Sequence, residues 1–171
     1  DITMGDIYSV FPFGDSLVKA NVSGQAIADY LELASRKREK TASIGPKAIG
    51  ENGGFAHGAG LHYTIDTSIP SPARIDSSGM FLSIEGERRV KEITIEENGE
   101  FVPIDLTKSY SICSTDYVLL GNGDGATQFD GAEILPLAPS SDVDALARYL
   151  VSNEKDIAAR YGSLDGRITI L

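Results

Sequence analysis

The chain has little of what most self-contained catalytic sites are built from. Cys113 is its only cysteine, so neither an intrachain disulfide nor a thiolate-rich metal site can form. Its setting, Tyr110-Ser111-Ile112-Cys113, has the pattern of a strand interior and predicts a small buried hydrophobe. Imidazoles are limited to His57 and His62, and no pair of His, Asp or Glu residues has the spacing of a zinc or di-metal site. No apolar run approaches the roughly 20 residues needed to span a bilayer. Basic residues are short as well: 15 Lys and Arg stand against 25 Asp and Glu, a net charge of -10. That balance disfavours nucleic acid polymers as partners but leaves room for a local donor cluster around a small anion.

Motifs of stand-alone enzymes are missing too. There is no Gly-x-Ser-x-Gly elbow and no P-loop lysine, and the glycine-rich stretches do not follow Gly-x-Gly-x-x-Gly between a strand and a helix. No signal sequence or lipidation motif is visible, and because the chain opens at Asp1 its ends do not report on targeting.

What is present reads as a globular domain. At 171 residues, 42% hydrophobic and 23% charged, the chain supports an ordinary core. Thr3 caps a short helix that Pro12 and Gly14 end. Val18, Ala20 and Val22 then alternate with Lys19 and Asn21 as a strand. Ser23 starts a helix with Ile27, Tyr30, Leu31 and Ala34 on one face. The charge run Arg36–Lys40 leads into a solvated loop over 41–54.

Strict alternation from Leu61 to Asp66 predicts a strand with Tyr63 and Ile65 inward, and His62 on the polar face. Residues 70–79 read as an irregular connection. The segments 88–95 and 101–104 flank Asn98-Gly99 as a hairpin, and 109–114 form a strand that runs on toward an aromatic. Ser141 opens the last helix, striped by Val143, Leu146, Ala147 and Leu150, and Gly166–Leu171 closes the chain as a strand. Mixed elements without regular βα alternation predict an α+β domain of layered helices and mixed β-sheets.

Two loops carry the candidate site. In Thr115–Gly125, Tyr117 offers a stacking face, and Asn122, Gly123 and Asp124 lie in a glycine run that lets backbone approach a ligand. A carboxylate there accepts hydrogen bonds from vicinal hydroxyls. Phe55, in Gly54–Gly60 with His57, offers a second aromatic face, and each stacking contact with a base contributes about 1–3 kcal/mol.

Taken in order, Gly5–Gly14, Ser23-Gly24, Phe55–Asp66, Thr115–Gly125 and Gly166-Arg167-Ile168 resemble the C-terminal domain of the 5'-nucleotidase and UDP-sugar hydrolase family. The resemblance spans nearly the whole of 1–171 and implies a 5'-nucleotidase C-terminal domain-like fold that recognises a nucleotide or nucleoside. It further implies an N-terminal metallophosphoesterase domain, absent from this chain, that holds two divalent metal ions and hydrolyses phosphate esters. A periplasmic, secreted or cell-surface location follows from the same resemblance.

By resemblance, Phe55 matches the first base-stacking aromatic, and Asp124, flanked by Gly123, the ribose-binding aspartate. The second aromatic falls on Tyr117, or on Val118 by an ungapped count, because the loop holds one more residue than the family pattern. Ala126 replaces an aromatic, and the family's Asn-Gly-Gly-Gly-Ile-Arg segment is not on the chain. These residues alone are expected to hydrolyse nothing. A noncatalytic binding module, and relatives acting on cyclic nucleotides, UDP-sugars or thiosulfonates, remain as alternative readings.

Overall fold

The computed structural model describes residues 2–38 and 53–171; most of the expected loop at 41–54, and the last two residues of the charge run, lie outside the described residues. The first helix, α1 (Met4–Val10), opens with a capping box. Thr3 Oγ1 accepts the Asp6 amide at 3.3 Å, and the Thr3 amide donates to Asp6 Oδ2 at 2.7 Å.

Strand β1 (Leu17–Ser23) follows and turns Ala20 and Val22 into the core. Ser23 ends it and caps α2 (Gly24–Ala34) by accepting the Ala26 amide at 3.1 Å. The apolar face foreseen for α2 buries Ile27, Leu31 and Ala34.

Strand β2 (Leu61–Ile65) is followed by the small hairpin of β3 (Ala73–Ile75) and β4 (Phe81–Ile84). Next come β5 (Val90–Glu97) and β6 (Glu100–Pro103) around the predicted Asn98-Gly99 turn, where both residues have positive φ, 54° and 86°. β7 (Ser109–Thr115) pairs antiparallel with β1 across its full length. β8 (Glu133–Leu135) takes β1's other edge. The second sheet has the order β6, β5, β2, β9, and β9 (Ile168–Ile170) runs parallel to β2.

One core joins these layers: Ala20 and Val22 from the first sheet, Tyr63, Ile65 and Val90 from the second, and Ile27 and Leu31 from α2, which touches both β1 and β5. A polar tie crosses it. Glu32 on α2 is wholly buried, and its Oε1 accepts the Val90 amide at 3.0 Å. The expectation of an α+β domain with layered helices and mixed sheets holds.

Several local expectations are corrected. Cys113 lies inside a strand but is exposed, because Tyr110 and Ile112 take the core-facing positions of β7 and the period of two turns Cys113 outward. The run after Thr115 is not strand but a four-residue helix, α3 (Asp116–Leu119), with Leu119 inward. The connection at 70–79 contains the first strand of a hairpin. The helix striped by Val143 and Leu146, α4 (Asp142–Ser152), is not the last, since α5 (Ile157–Tyr161) follows.

Candidate functional site

The site begins where β7 gives way to α3. The Asp116 amide donates to Ser16 O at 2.8 Å, and the Leu120 and Gly121 amides both return to Asp116 O at 2.9 Å, which closes α3 after one turn. This turn directs Val118 into the core and leaves Tyr117 half exposed. Tyr117 and Val118, the two residues that the resemblance offers for the second aromatic position, thus differ in exposure.

After α3 the chain folds back through Asn122 and Asp124, both in the left-handed region at φ 53° and 54°. Gly123 between them is buried against the Tyr117 ring, and a side chain at that position would overlap the ring. The Asp124 amide donates to the Tyr117 hydroxyl at 3.3 Å. The Asp124 carboxylate packs against Gly54: a Cβ there would meet Asp124 Oδ2 at 2.7 Å. Nearby, burial pushes the Tyr30 phenol up to about 12, with the charge of Asp124 as the second cause. Tyr30 is therefore a neutral neighbour of that carboxylate throughout the physiological range.

Tyr117, Asn122, Gly123 and Asp124 thus form one surface with Gly54 against it. Phe55 follows Gly54 in the chain, but its ring is partly buried against the core and meets His57 edge-on at 5.0 Å. It lines a cleft of about 640 Å³ with Arg38, Tyr161 and Arg167, and Tyr117 and Asp124 are not among the residues bordering that cleft. His62, on the polar face of its strand, stacks on Phe101 at 3.8 Å.

Phe13 was missed. Read from sequence as part of a helix stop, it is 87% exposed. Its loop enters β1 at Leu17, opposite Thr115, so Phe13 and α3 emerge at the same end of the sheet. An unpaired aromatic between proline and glycine was the available signal.

The family described as "5'-nucleotidase, C-terminal domain" matches residues 1–131. The chain belongs to this family. It is 30% identical over 135 residues to the trifunctional nucleotide phosphoesterase protein YfkN of Bacillus subtilis, covering 77% of this chain and 7% of that protein. It is 27% identical over 121 residues to a probable 5'-nucleotidase of Treponema pallidum, covering 71% of this chain and 17% of the relative. Among solved structures, a 5'-nucleotidase precursor from Thermus thermophilus shares the fold with a TM-score of 0.70 at 24% identity, over 99% of this chain and 28% of that one. As a 5'-nucleotidase C-terminal domain, the chain spans less than a third of the length of each of these proteins. The surface around Tyr117 and Asp124 falls within the matched residues.

Proposed function

We propose that this domain recognises the nucleoside part of a nucleotide for a 5'-nucleotidase-type phosphoric ester hydrolase. The observation that carries the reading is the half-exposed Tyr117 ring, which lies against Gly123 and whose hydroxyl accepts the Asp124 amide. A base stacks on the open face, and Asp124 accepts hydrogen bonds from the ribose hydroxyls. Asn122, at the head of the same turn, borders the sugar.

The second aromatic is Phe55, as the resemblance implies, or the exposed Phe13, whose loop leaves the sheet at the same end as α3. A stacking platform has to be open to its ligand, and Phe13 is exposed whereas Phe55 is partly buried. Substituting each by Ala and measuring KM for a nucleoside monophosphate in the complete protein separates them. The true platform gives an increase of about fivefold or more, in line with about 1 kcal/mol or more for a stacked base.

Hydrolysis is assigned to a metallophosphoesterase domain elsewhere on the polypeptide. Among the described residues no three His, Cys, Asp or Glu side chains converge as a metal site. The contribution of these residues is positioning of the leaving nucleoside. No helix among the described residues is long and apolar enough to cross a membrane. A periplasmic, secreted or cell-surface location is part of the same proposal.

Asp124→Ala tests the reading directly. It should weaken adenosine binding while leaving 2',3'-dideoxyadenosine unchanged; equal losses for both would make Asp124 structural. A noncatalytic module is the second reading, favoured by Ala126, which is fully buried in the core where the family pattern has an aromatic. Absence of saturable binding of adenosine and uridine by the complete protein would select it.

A further inference from the structure

We propose that Tyr117 is also a positioning residue, whose hydroxyl holds the Asp124 backbone so that the stacking face and the ribose carboxylate move as one unit. The inference rests on the site reading above and adds to it a role that a phenylalanine at 117 could not fill.

Three observations carry it. The Asp124 amide donates to the Tyr117 hydroxyl, at 3.3 Å, across a loop of six intervening residues. The ring lies against Gly123, whose lack of a Cβ permits the approach. Finally, Asn122 and Asp124 both hold left-handed φ values, a conformation that costs non-glycine residues free energy and persists only where surrounding contacts fix it. Within the turn itself the Gly125 amide returns to Asn122 O at 3.0 Å, but this bond does not connect the loop to α3. The connection to α3 at Asp124 is made by Tyr117.

The chemistry is specific. A phenol oxygen accepts a backbone N–H, whereas a phenylalanine edge does not. In Tyr117→Phe the ring keeps its seat on Gly123 and its open face, and only the acceptor is lost. The Asp124 backbone then loses its tie to α3, and the carboxylate, still packed against Gly54, is held less firmly where a base on the ring would put its ribose. Base recognition and sugar recognition are thereby uncoupled.

The test compares wild type, Tyr117→Phe and Tyr117→Ala in the complete protein. Without ligand, residue-resolved hydrogen–deuterium exchange at the Asp124 amide should quicken roughly fivefold in Tyr117→Phe, the loss of one net hydrogen bond. With ligand, the preference for adenosine over 2',3'-dideoxyadenosine should fall by a similar factor while dideoxyadenosine binding stays within about twofold. Tyr117→Ala should weaken both ligands. Unchanged Asp124 exchange and an unchanged adenosine preference in Tyr117→Phe would overturn the positioning role, even if Tyr117→Ala confirms the stacking role. If neither variant changes binding of either ligand, the site reading itself fails, and the ligand-free exchange still decides whether Tyr117 holds the loop.

Discussion

At the scale of single residues, chemistry here depends on which face of a short segment each side chain takes. Gly123→Ala illustrates this. The added methyl meets the Tyr117 ring, which belongs to a side chain able to swing outward, so the expected loss of stability is about 1 kcal/mol, at the low end for overpacking. Nucleoside binding should nevertheless fall as far as in Tyr117→Ala, because the displaced ring no longer lies over the Asp124 turn. Calorimetry for stability, paired with titration of adenosine, reads the two effects separately. Cys113 offers a second check on facing. Exposed on β7, it should react with a thiol reagent in native protein at the rate of an accessible cysteine, without the denaturant that a core thiol requires.

Elements long enough to show a period were legible in the sequence, and those that went unread are short. The eleven residues of α2 and the seven of β1 display their inward faces plainly, as does the Asn98-Gly99 hairpin through its turn chemistry. In contrast, β3, β8 and α3 have only three or four residues each, too few for alternation or a helical stripe to appear. The same limit shaped the reading of the site. Glycines marked the loop at 121–125, but the seat of the Tyr117 ring depends on α3, and the exposure of Phe13 depends on where the end of α1 meets β1.

Capping is the other signal that works at this scale. In Thr3→Ala the bond from the Asp6 amide to the Thr3 hydroxyl disappears, while the backbone amide of residue 3 can still donate to Asp6, at a cost of about 0.5–2 kcal/mol. Because Ile7 is the only buried residue of α1, that cost should appear as faster amide exchange over residues 4–10, with a smaller shift in the global unfolding midpoint.

For the whole molecule, two carboxyl groups give stability opposite dependences on pH. Burial holds the pKa of Glu32 above its ordinary 4.5, against the opposing pull of the Val90 and Arg89 amides and the Arg88 and Arg89 charges. The folded state therefore binds this proton more tightly than the unfolded chain does. The resulting stability is fully present below 4.5 and is lost as pH rises through the folded-state value. Asp165 behaves oppositely. Hydrogen bonds from Arg167 lower it to about 2, so its contribution is present above its ordinary 3.8 and is lost as pH falls toward 2. Its exposure to solvent keeps that contribution small.

Glu32→Gln tests the balance, since a neutral amide retains an acceptor for the Val90 amide without titrating. Urea midpoints measured from about pH 5 to 8 should decline less in the variant than in wild type. Parallel curves would show that Glu32 does not set the pH dependence.

The pairing of β9 with β2 also bears on how the protein is made. Tyr63 is opposite Ile168, and the Leu171 amide closes onto Ile65 O at 2.9 Å. At roughly 5–20 residues per second, a ribosome needs about 5–20 s to synthesise the hundred or so residues between these partners. During that interval one edge of β2 has no neighbour from its own chain. Such an edge is open to pairing with another polypeptide, so expression yield should depend on chaperone supply more strongly than the stability of the finished fold would suggest.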